Sequence, residues 1–173
     1  MVYGLFVFFT VSAVVLIVHK LGHYLAGRWL VGIPASDITF VVRSLPQYVG
    51  LWNGDRWVSP TAFGEYLTAY AEYDPDLSHI VAYLAAGELT QTACVLGIAG
   101  FAVAVNAPLV AQSAILASLL LTGYHLFADL GLTLHMGHPT GDFSGLWTHS
   151  PLTAVSVGLL FVVPHGILYT IFI

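Results

Sequence analysis

The chain has 173 residues, of which 58% are hydrophobic and 8% are charged, and its formal net charge is −5. With a mean hydropathy of +0.86 it is too apolar for a soluble domain, which indicates an integral membrane protein. The negative charge argues against a nucleic-acid partner, and the single cysteine, Cys94, excludes an internal disulfide.

Four stretches are long enough to cross a bilayer, which takes about 20 mostly apolar residues. They lie at residues 2–30, 79–105, 109–134 and 152–173. We expect the first to be a retained helix and not a cleaved signal peptide, because its apolar run is too long and no small-residue cleavage site follows it. Asn106 and Pro108 predict a tight hairpin between the second and third stretches.

Basic residues indicate the orientation of the chain in the membrane. Apart from Lys20 they are Arg28, Arg43 and Arg56, all in or beside the connection after the first stretch. Since basic residues concentrate in cytoplasmic connections, we predict that residues 34–78 are cytoplasmic and that both termini lie outside. The predicted location is the plasma membrane of a prokaryote.

The connection at residues 34–78 is the only sizeable polar region of the sequence. Three of its segments are rich in β-branched and aromatic residues, which favours short strands in a hairpin or small sheet. These segments lie at residues 37–44, 47–52 and 55–60. Residues 65–78 then carry tyrosines at helical spacing up to Pro75, which predicts an amphipathic helix at the membrane interface.

These elements together predict the fold class. We expect an all-α membrane protein with four transmembrane helices and a small cytoplasmic β-hairpin or sheet insertion after the first helix. The whole of residues 1–173 is predicted to form a single polytopic membrane domain.

His19 and His23 lie four residues apart, near the end of the first apolar stretch. On an α-helix this spacing separates the side chains by about 40°, so both imidazoles can point at one metal ion. The alternative is a pair of ordinary polar residues. The context favours a metal site, because imidazoles beside a lysine in a membrane helix are costly unless they face protein, water or an ion.

A third ligand would have to come from another part of the chain. The segment at residues 134–147 follows the third apolar stretch on the same predicted side of the membrane as the histidine pair. In this segment Asp142 stands between glycines after Pro139, which predicts an interrupted helix. Within a membrane such a backbone is tolerated only where it is buried in protein or lines a cavity. Asp142 is the candidate ligand, and His138 and His135 are the runners-up if Asp142 points away.

Other polar residues occur inside the apolar stretches. His125 and Asp129 are four residues apart and could support a metal ligand by hydrogen bonding or relay protons, although a plain hydrogen bond between helices is the simpler interpretation. Glu88 and Gln91 are predicted to line the inner face of the second helix, near the site.

Several of these segments resemble the site-2 proteases, a family of intramembrane zinc metalloproteases. VVLIVHKLGHYLAGRWLVGIP, at residues 14–34, is similar to the helix with the family's first zinc motif. YLAAGELTQTACVLGI, at residues 83–98, is similar to a second family helix, and HPTGDFSG, at residues 138–145, lies where the family supplies an aspartate ligand. The similarity covers most of the chain.

The resemblance implies a ligand set and a mode of substrate binding. Zinc would be held by His19, His23 and Asp142. A substrate helix would unwind and add as a strand to the edge of the β-hairpin.

The sequence also departs from the family pattern, most seriously at position 20. Lys20 stands where the family has its general-base glutamate, and a protonated amine cannot accept a proton from water. At ~5 Å and an effective dielectric constant of about 20, its charge would oppose zinc by roughly 6 to 7 kcal/mol. In addition, Phe143 replaces a glycine and His138 stands where the family has an asparagine.

Three arrangements of Lys20 are compatible with this change. Lys20 could pair with Asp142 in a metal-free site. It could extend towards the lipid headgroups and leave zinc without a base, or lose its proton through burial beside a cation and act as the base itself.

We therefore predict a pseudoprotease with no assigned catalytic residue and with zinc weakly bound or absent. Its predicted partners are a transmembrane helix or membrane protein subunit and the lipid bilayer, with no nucleic acid. The alternatives are an active intramembrane zinc metalloprotease with an atypical base and a structural accessory subunit of a larger membrane complex.

Overall fold

The computed structural model describes residues 2–44 and 47–172. These residues form six α-helices, a π-helical turn and three strands. The helices are α1 (Val2–Ala26), α2 (Phe63–Ala71), α3 (Ile80–Ala104), α4 (Pro108–Met136), α5 (Asp142–His149) and α6 (Pro151–Phe172). The strands are β1 (Ile38–Val41), β2 (Tyr48–Trp52) and β3 (Trp57–Val58), and the π-helical turn Gly27–Val31 continues α1.

Four helices are long and apolar enough to cross a membrane, judged by their length and composition. They are α1 with its π-helical turn, α3, α4 and α6. This confirms the four long apolar helices predicted from the sequence, with ends that differ by a few residues. The predicted hairpin between α3 and α4 is also present, with Asn106 at a φ of 55° and Pro108 as the first residue of α4.

The helices pack around α3, which contacts α1, α4 and α6. The approach of α1 to α3 is unusually close at Gly22, because a Cβ added there would lie 2.4 Å from the carbonyl oxygen of Ala86. Small residues allow such close contact between membrane helices. Gly22 therefore brings the face of α1 that carries His19 and His23 directly against α3.

The connection between α1 and α3 contains the predicted small sheet. Its three strands are antiparallel in the order β1-β2-β3, with Ile38 paired to Leu51 and Leu51 paired to Val58. These three side chains are buried, and Tyr70 of α2 and Tyr83 of α3 complete the same core. The predicted amphipathic helix is α2, and it ends at Ala71, before Pro75.

The chain between α4 and α6 breaks where the glycine and proline residues indicated. α4 ends at Met136, and Gly137 follows with a φ of 74°. After Pro139 the chain re-enters a helix at Asp142, which is the first residue of α5. The short helix α5 was not expected from the sequence, because eight residues with a mixed polar pattern carry little periodic signal.

Candidate metal centre

His19 and His23 lie on the side of α1 that faces α3. Both are buried, with 0% and 5% of their surface exposed. Their Nε2 atoms are 3.4 Å apart. The two imidazoles therefore point at one position, as their spacing of four residues on a helix predicts.

Asp142 joins the two histidines from the first turn of α5. Its Oδ2 atom lies 3.0 Å from His23 Nε2 and 3.5 Å from His19 Nε2. The three residues form a group that could hold a metal ion. Residues that are more than a hundred positions apart in the sequence are thus brought to one point.

The Nδ1 atoms of both imidazoles, which face away from Asp142, form hydrogen bonds with carbonyl oxygens. His19 Nδ1 lies 3.0 Å from Gln91 Oε1, and His23 Nδ1 lies 2.9 Å from the backbone oxygen of Tyr83. Since a carbonyl oxygen only accepts, each Nδ1 must donate its hydrogen. In neutral imidazoles the Nε2 lone pairs are then free, and both are directed at the Asp142 carboxylate.

The spacing of these three atoms fits a tetrahedral zinc ion. Zinc–nitrogen and zinc–oxygen bonds of about 2.0–2.1 Å place two ligand atoms about 3.3 Å apart in a tetrahedron. The observed separations of 3.0, 3.4 and 3.5 Å are close to that value. Two imidazoles and one carboxylate also form a common donor set for zinc in proteins.

Gly87 of α3 provides the room that this group needs. A Cβ added at Gly87 would lie 2.3 Å from His23 Nε2 and 2.8 Å from His19 Nε2. Such contacts are far inside van der Waals distance, so no larger residue fits without moving the imidazoles.

Asp129 of α4 holds the helix that carries Asp142. Its Oδ2 accepts the backbone N–H of Ser144 at 2.8 Å, and its Oδ1 accepts the Ser144 hydroxyl. No hydrogen bond joins Asp129 to His125. The His125 ring instead packs against the His19 ring, with the two ring centroids 4.6 Å apart. Asp129 therefore supports a predicted ligand, but it does so through α5 and not through His125.

The Asp142 carboxyl is ionised at neutral pH. Burial alone would raise its pKa, but the positive charge and the Nε2–H hydrogen bonds of His23 and His19 in their protonated form outweigh burial and hold the pKa of Asp142 well below its usual range. Two imidazoles and one ionised carboxylate thus form the donor set that the site offers a metal ion.

Gln91 orients His19 through a chain of hydrogen bonds that crosses the bundle. Its amide nitrogen donates to Ser118 Oγ at 2.8 Å and to Thr122 Oγ1 at 2.9 Å. Ser118 Oγ in turn lies 2.8 Å from His165 Nε2. Since the amide nitrogen is committed as a donor, the amide oxygen must face His19, which fixes the tautomer of that histidine.

A second group near the site, His19, Glu88 and His125, also has ligand atoms close together. The nearest atom of His19 to Glu88 is Nδ1, at 3.9 Å, and its hydrogen is already donated to Gln91. Among the described residues, Glu88 Oε1 and His125 Nδ1 are buried without a hydrogen-bond partner. We therefore regard this group as polar surroundings of the first site.

Lys20 does not pair with Asp142. Within residues 2–44 and 47–172 it forms no ion pair, although the charges of Asp142 and Glu88 act on it. Its side chain lines two cavities, of about 290 and 310 Å³, and Asp142 lines both as well. The first of the three arrangements predicted for Lys20 is thus not the one in the structure.

The runner-up histidines lie away from the site. His138 stacks against Phe63 with ring centroids 5.6 Å apart, and His135 is exposed at the end of α4. Neither belongs to a metal-holding group formed by the described part of the chain. Phe143 lines the larger of the two cavities beside Asp142.

Comparison with known proteins identifies no relative. No protein-family model matches the chain, and no curated protein or solved structure matches it either.

Proposed function

We propose that this chain is an integral membrane protein of the site-2-protease type in which His19, His23 and Asp142 hold a zinc ion. The observation that supports the proposal is the convergence of the Nε2 atoms of two buried histidines and the Asp142 carboxylate on one point. Both histidines donate their Nδ1 hydrogens elsewhere, so their Nε2 lone pairs face the Asp142 carboxylate. Such an arrangement is unfavourable unless a metal cation or a proton lies among the three atoms.

His19, His23 and Asp142 would hold the ion with three protein ligands, the number found in catalytic zinc sites. Zinc at such a position supplies Lewis acidity, which polarises a bound oxygen. The residues of the chain provide the rest: α1 and α5 hold the ligands, and Gln91 and the Tyr83 carbonyl orient the imidazoles.

Lys20 makes this a binding protein and not an ordinary protease. It lies beside Asp142 at the edge of both cavities, where a proton acceptor would be needed to activate water. As an ammonium group Lys20 has three donors and no acceptor, so it cannot take that proton; only a Lys20 that had lost its own proton could do so. The predicted partner, a transmembrane helix or membrane protein subunit, stays a prediction.

Zinc titration of the purified protein tests the proposed centre. We expect about one zinc ion per chain, and none in Asp142→Ala or His23→Ala, because two remaining ligands hold zinc poorly. His135→Ala is the matched control, since it removes an exposed histidine outside the site. Equal zinc content in Asp142→Ala and His135→Ala would refute the ligand set.

Replacement of Lys20 tests the proposed loss of catalysis. Lys20→Glu restores a proton acceptor beside the zinc site and removes a repulsive charge. We expect tighter zinc binding and the appearance of cleavage of a model transmembrane substrate, with Lys20→Gln as the control that removes the charge without adding a base. Cleavage by the unmodified protein at the rate of Lys20→Glu would show that Lys20 does not silence the site.

A further inference from the structure

Four buried polar side chains form one line of hydrogen bonds across the helix bundle, and each of the four long helices contributes one of them. They are His19 of α1, Gln91 of α3, Ser118 of α4 and His165 of α6, and each is 0% exposed. Polar side chains inside membrane-spanning helices are costly unless they have partners. We therefore expect His165, which follows Pro164 in α6, to contribute to this line.

Both ring nitrogens of His165 are engaged. Nδ1 lies 2.8 Å from the backbone oxygen of Phe161, and Nε2 lies 2.8 Å from Ser118 Oγ. Among residues 2–44 and 47–172 no ion pair includes His165. Since a buried charge without a partner is costly, the ring is neutral and carries one hydrogen. A carbonyl oxygen only accepts, so that hydrogen lies on Nδ1, and Nε2 accepts the hydroxyl hydrogen of Ser118.

The direction of the other hydrogen bonds in the line follows from this end. Ser118 has a single hydroxyl hydrogen, which it donates to His165, so its oxygen can only accept from Gln91 Nε2, at 2.8 Å. Gln91 therefore presents its amide nitrogen to Ser118 and its amide oxygen to His19 Nδ1, at 3.0 Å. All the hydrogens thus point from His19 towards α6, which leaves the Nε2 lone pair of His19 for a metal ion.

The opposite direction is not available to this line. It would need a hydrogen from the backbone carbonyl of α6, which has none, and it would place the hydrogen of His19 on Nε2, where it blocks metal binding. Gln91 has further acceptors, because its amide nitrogen also lies 2.9 Å from Thr122 Oγ1 and 3.3 Å from the backbone oxygen of Ser118. Loss of His165 should therefore weaken the zinc site without abolishing it.

We propose that His165 is a positioning residue of the metal centre: through Ser118 and Gln91 it favours the tautomer of His19 in which Nε2 binds the metal. Hydrogen bonds in a chain polarise one another, so an acceptor at the far end strengthens the bond at His19. The inference rests on the proposed metal centre. It adds a contribution from α6, which carries none of the three ligands.

The zinc affinity of His165 variants, measured by competition with a chelator, tests this role. A direct partner of a metal-bound histidine is worth about 10–100-fold in affinity, and His165 is two hydrogen bonds beyond that partner, so we expect His165→Leu to bind zinc about three- to tenfold more weakly. His165→Gln should restore most of the affinity, because its amide oxygen can accept the Ser118 hydrogen. Leu168→Ala, which removes apolar packing of α6 outside the line, is the matched control and should leave the affinity unchanged.

A double-mutant cycle separates this role from a general effect on packing. Ser118→Ala interrupts the line between His165 and Gln91 without removing a bulky side chain, and it should lower the zinc affinity at least as much as His165→Leu. In the Ser118→Ala background, His165→Leu should cause no further loss, because it acts through Ser118. An undiminished additional loss would overturn the proposal. So would an unchanged zinc affinity in Ser118→Ala, a result that does not require His165→Leu to fold.

The zinc content of the unmodified protein separates this inference from the proposed function. Absence of zinc there would refute the metal centre and the role of His165 with it. Zinc binding by the unmodified protein with the same affinity in His165→Leu would refute the role of His165 alone. Equal losses of affinity in His165→Leu and Leu168→Ala would show an effect of helix packing and would also refute that role.

Discussion

Two aspartates in this protein lie beside histidines, and their surroundings differ in one decisive respect. Asp74, in the turn before α3, accepts hydrogen bonds from the Ser78 and His79 backbone N–H groups, from Ser78 Oγ and from Tyr70 OH. Asp142 faces two Nε2 atoms whose rings donate their hydrogens elsewhere. The first carboxylate is saturated with donors, whereas the second meets two Nε2 atoms that can donate to it only when the imidazoles are protonated.

This contrast separates a structural carboxylate from a ligand. The donors around Asp74 outweigh its burial and lower the pKa of its carboxyl well below the usual range, so its negative charge is balanced without any ion. At Asp142 the balance requires a cation or a proton. We therefore expect variants around Asp74 to change the free energy of unfolding without changing zinc binding. Variants around Asp142 should change zinc binding.

Gly87 should show the largest effect. In Gly87→Ala the new Cβ would lie 2.3 Å from His23 Nε2, so the imidazoles must move apart. We expect zinc binding to be lost and the protein to be destabilised by about 1–3 kcal/mol through overpacking. Gly97→Ala is the matched control on the same helix, because a Cβ there meets nothing within 4 Å. Retention of full zinc content by Gly87→Ala would contradict the geometry of the centre.

Asp74→Ala should show the opposite pattern. The loss of an acceptor for several donors is expected to lower the free energy of unfolding by about 2–3 kcal/mol and to leave zinc stoichiometry unchanged. Asp76→Ala, at an exposed neighbouring aspartate, should change neither quantity. A drop in zinc stoichiometry in Asp74→Ala would show that the two regions are not separate.

The Asp74 contribution should also depend on pH. Because its pKa is lower in the folded protein than the ordinary value of 3.8, the stabilisation is fully present above that value. It should be lost as the pH falls through the lower, folded pKa. The difference in unfolding free energy between the unmodified protein and Asp74→Ala, measured as a function of pH, should therefore shrink below pH 3.8.

Gln91 should affect zinc affinity more than stoichiometry. Gln91→Leu removes the acceptor for His19 Nδ1, and the loss of such a partner usually lowers metal affinity by about 10–100-fold. Gln112→Leu is the matched control, since Gln112 bonds to the backbone oxygen of Phe172 at a distance from the site. Competition with a zinc chelator measures the zinc affinity of each variant. Equal zinc affinities of Gln91→Leu and Gln112→Leu would show that Gln91 does not support the metal centre.

Tyr73 should show the smallest effect. Its hydroxyl donates to Asp37 Oδ2 at 2.6 Å, and this hydrogen bond, followed by burial, raises the pKa of Tyr73 to about 12. Because the folded pKa is raised, the stabilisation is fully present below the ordinary value of 10.0 and is lost as the pH rises through about 12. Tyr73→Phe should abolish this alkaline loss, measured by unfolding at increasing pH. Zinc binding should not change.

Part of this architecture follows from local patterns. The apolar runs predict the four long helices because a bilayer requires about 20 apolar residues in a row. The β-branched and aromatic segments predict the small sheet, and Asn106 with Pro108 predicts the hairpin. Helix α5 was missed, because a helix of eight residues depends on tertiary contacts such as the Asp129–Ser144 hydrogen bonds for its stability.

The sequence by itself determined that His19 and His23 point in the same direction, because their spacing is a property of any α-helix. Only the tertiary structure decided that Asp142, and neither His135 nor His138, completes the group. The same packing selected Gln91 and the Tyr83 carbonyl, which are 72 and 60 residues from their histidines, as the partners that set the tautomers. The reason is physical: residues so far apart meet only when close helix contacts, such as the one at Gly22, bring their faces together.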